Sequence, residues 1–375
     1  MKCKLSEICE YRKGKVDVST LTCDTYISTE NMLTNRGGIR QATSLPLTKQ
    51  TQEYKKGDVL VSNIRPYFKK IWIADRNGGC SNDVLVFKSK EQVDADFLYY
   101  VLSDDNFFAY SMLTAKGTKM PRGDKKKIMQ YEVPQFNENQ QKKIAYILGL
   151  FDKKIKLNNK INNNLLQQLH ILYLSFFCDS AMDTPLGDVV ATTSGGTPSR
   201  KHDEYYSDSS ICWVKSKELL GNYIHETEEH INDLAIKKSS AKLLPEHSVL
   251  IAMYGATVGA YGVISKPMTC NQAVCALLYN ENYPYTYLFQ IAYESQQKII
   301  NLAVGSAQQN ISQVLIKQPN LHSNLDIIQR FHGLALPMHQ EIESLQAETI
   351  RLSNLRDNLL PKLMSGEIDV SDINI

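Results

Sequence analysis

The sequence predicts an α+β protein in which two similar globular units are separated by two long helices that pack as an antiparallel intramolecular coiled coil. Two heptad patterns of apolar residues occur, one near the middle of the chain and one near its end. The segment before the first pattern is repeated before the second at an offset of about 187 to 190 residues. The architecture is therefore an internal duplication with pseudo-two-fold symmetry, with predicted parts 1–137, 138–178, 179–324 and 325–375.

The first heptad pattern occupies residues 139–177, where no proline occurs. Its positions alternate in steps of four and three residues, and they are Ile144, Leu148, Phe151, Ile155, Asn158, Asn162, Leu165, Leu169, Leu172 and Phe176. About 38 helical residues, each rising about 1.5 Å, span roughly 57 Å. A rod of this length cannot bury its apolar stripe against itself, so we expect a partner helix of similar length.

The second heptad pattern supplies that partner between residues 325 and 363. Its positions are Phe331, Ala335, Met338, Ile342, Leu345, Thr349, Leu352, Arg356, Leu359 and Leu363. Because Pro337 removes an amide donor, we expect a kink one or two turns into this helix. Asn158 and Asn162 of the first pattern would form a polar layer, which can fix the register of a helix pair. The alternative is two ordinary amphipathic helices, each packed on its own domain.

The repeat also predicts the secondary structure of each globular unit. Residues 57–66, 80–87 and 97–103 correspond to residues 247–256, 270–277 and 287–293. Short apolar runs bounded by Gly, Asn and Pro predict strands at 59–62, 71–74, 84–87, 249–253, 261–264 and 274–278. Helices are predicted at 96–103 and 285–302. We expect each unit to be α+β with a mostly antiparallel or mixed, curved sheet.

Composition indicates an ordinary globular chain with an uneven charge distribution. Of the 375 residues, 43% are apolar and 22% are charged, and no apolar run is long enough to cross a bilayer. With no signal-peptide pattern, we expect a cytoplasmic protein without a membrane partner. Residues 1–178 carry 28 Lys and Arg against 18 Asp and Glu, whereas the remainder carries 14 against 22. The first half is therefore basic enough to favour a polyanion as partner.

Sequence patterns of the common catalytic sites are absent. The chain has no P-loop, no G-x-S-x-G, no H-E-x-x-H and no Asn-Pro-Pro-aromatic segment, and residues 255–262 are rich in glycine but lack the P-loop lysine. The eight cysteines show no C-x-x-C pair and no zinc-ligand spacing, so we expect free thiols and no metal site. We therefore predict a chain that is not an enzyme and has no catalytic residues or cofactor of its own.

Polar residues in the predicted loops are candidates for contacts with DNA. Arg and Lys can pair with guanine edges or phosphates, and Asn and Gln with adenine. In the first unit the candidates are Asn31, Arg36, Asn63, Arg65, Tyr67, Lys69, Lys70, Ser81, Asn82, Lys119 and Arg122. In the second unit they are Thr197, Ser199, Arg200, Lys215, Lys217, Tyr254, Thr257, Asn271, Gln272, Gln308, Gln309 and Asn310. The second set has more amides than cations, which favours base reading over phosphate binding. The alternative for any single residue is a solvated turn.

Several of these segments resemble the specificity (S) subunit of type I restriction-modification systems. In the first half they are Ile27-Ser-Thr-Glu-Asn and residues 57–66; in the second half they are Ser-Gly-Gly-Thr-Pro-Ser at 194–199 and residues 254–259, 270–274 and 359–368. The order of these motifs, the duplication and the two long helices together make the resemblance specific. It covers nearly the whole chain.

The resemblance implies a division of labour. Members of this family have two target-recognition domains, each reading half of a split double-stranded DNA site, and two helices that hold the domains apart. The helices also dock two modification (methyltransferase) subunits, and a restriction subunit with translocase activity joins them. S-adenosylmethionine, ATP and Mg²⁺ belong to those partners.

The rod length predicts how the specified halves of the site are spaced. One turn of B-DNA is about 34 Å, so a rod of roughly 57 Å can set two readers on successive major grooves. An insertion of one helical turn in both rods should then lengthen the unspecified spacer. The alternatives are a self-sufficient DNA methyltransferase or nuclease, and a coiled-coil interaction protein without a DNA role.

Overall fold

A computed structural model describes residues 2–303, 310–371 and 373 of the chain. The chain forms two compact units, the first made of Met1–Ile155 with Arg351–Ile375 and the second of Lys156–Ile350. Two long helices, Glu138–Phe177 and Leu325–Ser365, each pass from one unit into the other. Among the helices of the described residues, none is both long and apolar enough to cross a membrane.

The first unit is built from short strands and four helices that precede the first long helix. The strands are β1 (Lys2–Lys4), β2 (Cys9–Tyr11), β3 (Lys15–Asp17), β4 (Tyr26–Ile27), β5 (Gln50–Tyr54), β6 (Val59–Ser62), β7 (Ile71–Ile73), β8 (Gly78–Cys80), β9 (Val84–Ser89) and β10 (Glu132–Pro134). The helices are α1 (Leu5–Ile8), α2 (Ala95–Ser103), α3 (Asp105–Leu113) and α4 (Lys125–Ile128). Two four-stranded sheets have the orders β2-β9-β6-β7 and β3-β5-β8-β4, and β1 pairs with β10.

The second unit, with the long helices α5 (Glu138–Phe177) and α10 (Leu325–Ser365), completes the chain. Its strands are β11 (Met182–Pro185), β12 (Ala191–Ser194), β13 (Ile211–Val214), β14 (Tyr223–Ile224), β15 (His230–Ile231), β16 (Val249–Ala252), β17 (Tyr261–Ile264), β18 (Thr269–Cys270), β19 (Val274–Leu278) and β20 (Asn320–His322). Its helices are α6 (Leu186–Val189), α7 (Asp233–Lys238), α8 (Tyr285–Ala303) and α9 (Gln313–Lys317). The sheet orders are β12-β19-β16-β17-β14, β15-β13-β18 and β11-β20.

The two units share a central row of four strands, β2-β9-β6-β7 in the first and β12-β19-β16-β17 in the second, which confirms the predicted duplication; the second unit adds β14 as a fifth strand. Strand β6 pairs antiparallel with β9 and β7, and strand β16 pairs antiparallel with β19 and β17. The register also repeats, since Leu60 faces Val86 and Leu250 faces Ala276. Mixed pairing recurs as well, because β4 runs parallel to β8 and β13 runs parallel to β18. The predicted strands and helices are confirmed to within one or two residues at each end.

A turn before the central strand shows how closely the copies agree. Gly57 has φ +89° and its amide donates to the Ala74 carbonyl at 2.8 Å. His247, 190 positions later, has φ +62° and its amide donates to the Ile264 carbonyl at 2.8 Å. Glycine adopts this left-handed conformation without steric cost, whereas histidine does not. The backbone geometry is therefore preserved although the residue type is not.

The heptad positions lie on the buried face of the long helices. In the first unit, Ile144 and Leu148 belong to the same apolar core as Leu360 and Leu363. In the second unit, Leu169 and Ile342 lie in one core. The remaining apolar heptad positions of the prediction are buried or partly buried. Burial of this stripe provides the main favourable free energy for helix packing.

Polar contacts show that the helices run antiparallel within the second unit. The Asn158 amide donates to the Glu348 carboxylate at 2.8 Å, and the ring centroids of Phe177 and Phe331 are 5.6 Å apart. As residue numbers rise along α5, their partners on α10 fall, so the predicted antiparallel pairing is confirmed.

In the first unit, Asp152 accepts hydrogen bonds from Arg356 at 2.5 Å and from the Tyr100 hydroxyl at 2.6 Å. Arg356, predicted as a heptad position, is thus a nearly buried ion-pair partner instead of an apolar contact. Pro337 does not end α10, which is continuous from Leu325 to Ser365. Residues on both sides of Pro337, Ala335 and His339, are fully buried, and this packing holds the helix across the missing amide.

Candidate nucleic-acid interface

In the first unit, four separate loops meet at one edge of the central sheet. Ser62 at the end of β6 faces Val84 at the start of β9, so loops 63–70 and 81–83 leave the sheet side by side. The Arg36 amide donates to the Lys69 carbonyl at 2.9 Å, and the Arg65 amide donates to the Pro121 carbonyl at 2.8 Å. These bonds add loops 28–40 and 116–124. We call these four loops the first polar face.

The first polar face holds an unusual backbone conformation. Four non-glycine residues have positive φ: Asn35 at 52°, Arg36 at 60°, Arg65 at 50° and Lys69 at 50°. Each costs on the order of 1 kcal/mol or more and persists only when surrounding contacts impose it. Such residues cluster at binding and catalytic sites. The concentration of four within two adjoining loops therefore supports a functional role for this face.

Several predicted DNA contacts are exposed on this face. Tyr67, Asn82, Lys119 and Arg122 are exposed, and Ser81 is half-buried. Arg122 forms an ion pair with Asp83 at 3.2 Å.

Two cations lie against the Phe68 ring. The Arg65 guanidinium and the Lys70 ammonium lie 5.9 and 5.8 Å from the ring centroid. Lys70 also donates to the Thr29 carbonyl at 2.6 Å, and burial, followed by the charge of Arg40, lowers its pKa. These cations are held in place before any ligand arrives.

Three predicted contacts have hydrogen-bond or ion-pair partners within the first unit. The Asn31 side chain is buried, accepts from the Ser28 amide at 2.6 Å and donates to the carbonyls of Tyr26 and Arg40 at 3.0 Å each. With its hydrogen-bonding groups used inside the loop, Asn31 orders the first polar face and is not available to a base.

Arg36 and Lys69 tie the face to helix α3. The Arg36 guanidinium is nearly buried, donates to the Ser103 carbonyl at 2.7 Å and pairs with Asp105. Lys69 pairs with the same carboxylate at 2.8 Å. Both cations therefore take part in the ion-pair network that joins the first polar face to helix α3. Asn63 is also buried, and its Oδ1 has no hydrogen-bond partner among the described residues.

Sequence reasoning missed Arg40 and the segment that follows it. Arg40 lies on a polar cavity of about 310 Å³ together with Ser28, Thr43, Ser44 and Ser81. It is exposed, and its guanidinium reaches the Glu30 carbonyl at 3.5 Å. The run of small polar residues from Gln41 to Ser44 was the signal in the sequence, but it resembled an ordinary loop.

In the second unit the corresponding loops also meet. The Gly196 amide donates to the Cys270 carbonyl at 2.9 Å, and the Asn271 amide donates to the Val214 carbonyl at 2.9 Å. The Trp213 indole donates to the Gly196 carbonyl at 3.0 Å. We call loops 193–201, 215–218, 226–229 and 271–272 the second polar face. Gly196 is required there, because a Cβ would lie 2.4 Å from the backbone nitrogen of Ala241.

The predicted cations of the second polar face are all paired with carboxylates. Arg200 and Lys215 both pair with Glu229, and Lys217 pairs with Glu228. The Lys215 hydrogen bond, opposed by desolvation and aided by Arg200, lowers the pKa of Glu229. The glutamate is therefore ionised near neutral pH. Neither Glu228 nor Glu229 was predicted to belong to the site, since acidic residues are not expected to face DNA.

The amides and hydroxyls of this face are partly engaged. The Thr197 hydroxyl donates to Gln272, Asn271 accepts from the Ala273 amide at 3.2 Å, and Ser199 accepts from the Lys201 amide at 3.3 Å. The side-chain NH₂ groups of Asn271 and Gln272 have no partner in the described part of the chain. These two groups remain able to donate to a base edge.

Tyr254, Thr257 and Asn310 lie together beyond strand β16. Tyr254 forms a β-bridge with Asn310, and the Thr257 hydroxyl donates to the Tyr254 carbonyl at 3.2 Å. Tyr254 is 39% exposed. The remaining two predicted contacts, Gln308 and Gln309, lie outside the described residues.

Two groups of side chains have the composition of metal ligands. They are Cys212 with Glu226 and His230, and His247 with Glu246 and Glu343. In the first group, Lys266 pairs with Glu226 at 2.6 Å and supplies a positive charge. All eight cysteines are free thiols.

The structure thus combines a duplicated fold, one polar loop face per unit and two long helices. A family model described as the type I restriction modification DNA specificity domain matches residues 1–167 and 181–323. The chain belongs to this family, and it is a specificity subunit of a type I restriction-modification system, a recognition component and not an enzyme.

Relatives agree with this assignment. The chain is 25% identical to the type I restriction enzyme MjaIX specificity subunit of Methanocaldococcus jannaschii, over 76% of this chain and 71% of that protein. It is 22% identical to the HindI specificity subunit of Haemophilus influenzae, over 84% and 87%. The crystal structure of a type I S subunit from M. genitalium matches with a TM-score of 0.60 at 16% identity, covering 99% and 96%. That structural match shows the same fold.

Proposed function

We propose that the chain reads a bipartite DNA target, with the first polar face on one half-site and the second polar face on the other. The observation that supports this proposal is the duplication. Each polar face includes the loop that precedes the strand paired with the central strand, which is residues 81–83 before β9 in the first unit and residues 271–272 before β19 in the second. The repeat would supply two DNA-reading domains with similar folds and different loop residues. An asymmetric split target requires this, because its two half-sites differ in sequence.

The two faces differ in the balance between phosphate and base contacts. The first unit is basic, and Lys119 and Arg122 are exposed there. Its cations suit phosphate binding, which positions a protein on a duplex without reading sequence. The second face offers the amides of Asn271 and Gln272, which can pair with adenine edges. Arg200 can pair with guanine once it is released from Glu229.

The long helices are proposed to dock the partner subunits. In the first unit, Tyr146 and Leu150 of α5 are nearly half exposed, and in the second unit Leu157, Ile171 and Leu174 are exposed on the same helix. Exposed apolar groups at helical spacing mark a protein-binding surface. We assign it to two modification subunits, which a restriction subunit joins. Those partners would contribute S-adenosylmethionine, ATP and Mg²⁺, and the complex would act in the cytoplasm. We further propose that the helix lengths set the unspecified spacer.

Methylation mapping tests the reading roles. Cells would carry the chain with its modification subunit, and the methylated adenines would be sequenced. Gln272→Ala should relax the second half-site alone, because a good bidentate base contact contributes about 1 to 3 kcal/mol of discrimination. Lys119→Ala should leave the target unchanged but lower duplex affinity and reduce the salt slope by about 1.

A matched control is Gln297→Ala on helix α8. Gln297 is exposed and donates to Asn301 at 3.0 Å, on a helix that belongs to neither polar face. This variant should keep the wild-type methylation pattern. If Gln272→Ala also kept it, the second polar face would not read that half-site in the way proposed.

A further inference from the structure

One carboxylate in the second polar face holds two cations that are predicted DNA contacts. Glu229 accepts from both Arg200 and Lys215. We propose that Glu229 determines specificity by restraining these cations, so that they bind non-target phosphates weakly and engage DNA only when base contacts are also made. This inference rests on the proposed function of the second polar face and adds a residue that acts against binding of the wrong DNA.

The position of Glu229 is fixed independently of its ion pairs. Its backbone carbonyl accepts from the Trp213 amide at 3.1 Å and from the Thr227 hydroxyl at 2.7 Å. The Trp213 amide also donates to the Thr227 hydroxyl at 3.1 Å. These bonds anchor the backbone of Glu229 to strand β13, so its place in the second polar face does not depend on either cation.

The two cations are positioned by the same tryptophan. The Arg200 guanidinium lies 4.3 Å from the Tyr206 ring centroid and 5.4 Å from that of Trp213, and the Lys215 ammonium lies 5.6 Å from the Trp213 ring. Tyr206 is itself fixed by a hydrogen bond from its hydroxyl to the Pro198 carbonyl at 2.7 Å. Stacking of this kind is favourable by about 0.5 to 2 kcal/mol and orients the guanidinium. Arg200 is thus held ready for a directional contact.

A second carboxylate pair extends the restraint. Glu228 pairs with Lys217, and the Glu228 amide donates to Glu218 at 2.8 Å. All three predicted cations of this face therefore have an internal acidic partner. In the first polar face Arg36, Lys69 and Arg122 likewise pair with carboxylates, but Lys119 is exposed and no ion pair is found for it within the described residues. Lys119 can therefore meet a phosphate without first leaving an acidic partner.

The physical consequence is a difference between target and non-target DNA. A non-target phosphate must compete with a carboxylate already in contact with each cation, and like charges repel it. A target sequence adds base contacts that offset this competition. Removing the charge of Glu229 should therefore strengthen non-target binding more than target binding.

Glu229→Gln tests this directly, because glutamine can still accept hydrogen bonds but carries no charge. The complete chain with its modification subunit would be titrated with two labelled duplexes at several salt concentrations. One duplex contains the site that wild-type cells methylate, and the other is a mixed-sequence duplex of equal length. We expect non-target binding to tighten about three- to tenfold at physiological salt, with the log–log salt slope steeper by about 1 to 2. In cells, methylation should spread to sites altered in the second half only.

Two companion variants make the result specific. Glu281→Gln removes the same charge from an exposed residue of the second unit that lies in neither polar face, in the loop between β19 and α8, so the ratio of target to non-target affinity should not change. Lys215→Met leaves Glu229 charged and removes one cation, so both duplexes should bind more weakly. Thermal unfolding of each variant provides the control for folding.

The outcomes separate the inference from the proposed function. A wild-type complex that failed to prefer its methylated site would overturn the proposed function, and the inference with it. Two results would overturn the inference alone and make Glu229 a purely structural residue. In the first, the wild-type complex prefers its methylated site and Glu229→Gln leaves that preference unchanged. In the second, Glu229→Gln binds both duplexes more weakly and has a lower thermal midpoint.

Discussion

Replacement of Asn162 by leucine tests the polar layer between the long helices. Asn162 is 4% exposed, and neither its Nδ2 nor its Oδ1 has a hydrogen-bond partner within the described residues. Each unpaired buried polar group costs about 1 to 3 kcal/mol. Leucine removes both and adds apolar contacts, while imperfect fit costs about 1 to 3 kcal/mol. We expect a net stabilisation of about 2 kcal/mol.

The assay is calorimetric unfolding of the complete chain, because two units need not unfold as one transition. The second unit spans residues 156–350, and for a domain of this size about 1 kcal/mol shifts the midpoint by about 2 to 4 °C. The transition of the second unit should therefore rise by about 4 to 8 °C. Asn158→Leu is the matched control: it breaks the 2.8 Å bond to Glu348, so its gain should be smaller.

An unchanged or lower midpoint for Asn162→Leu would refute this reasoning and indicate that water satisfies the amide. The register role has a separate readout. If the polar layer fixes register, the double variant Asn158→Leu, Asn162→Leu should be more stable but should methylate sites with altered spacers. Intact specificity and spacer length in that variant would show that the two asparagines are merely tolerated.

Two further predictions concern the second unit. Burial, followed by the charges of His247 and His332, lowers the pKa of His339 from 6.5 to about 3. Between pH 6.5 and 3 the unfolded chain binds a proton at this histidine and the folded chain does not. The free energy of unfolding should therefore be highest above about pH 6.5 and fall by up to about 1.4 kcal/mol per pH unit as the pH drops towards 3. His339→Gln should make the unfolding midpoint less dependent on pH. Gly196→Ala should lower the unfolding midpoint and impair reading of the second half-site only, because its Cβ would collide with backbone atoms. Gly333→Ala has open space around its Cβ and should be neutral or stabilising. Both variants are measured by the same calorimetry and methylation mapping.

Much of the fold was accessible from the sequence because its signals are periodic. A strand pattern repeated at a fixed offset and two heptad patterns do not depend on long-range detail. The helix start at Glu138, the strand Val59–Ser62 and the strand Tyr261–Ile264 were therefore predicted within a residue or two. The kink expected at Pro337 stays a prediction, since a helix that is continuous from Leu325 to Ser365 can be straight or kinked at that residue.

The candidate site was only partly accessible, because residue type does not reveal whether a polar group is free. Asn31 and Arg36 have the chemistry of base and phosphate contacts, yet their partners are supplied by Tyr26, Ser103 and Asp105. Arg40 was not predicted, because it lies in an ordinary-looking loop, and only the structure shows that it lines a polar cavity.

By itself, the sequence determined the α+β duplication, the two long helices, the uneven charge and the family, since each depends on patterns or motifs along the chain. Tertiary structure alone decided which polar side chains are free. It placed Glu229 against Arg200 and Lys215, residues separated by 29 and 14 positions. The physical reason is that a charged side chain interacts most strongly with the nearest opposite charge in space, and only the folded chain brings residues that are distant in sequence into contact.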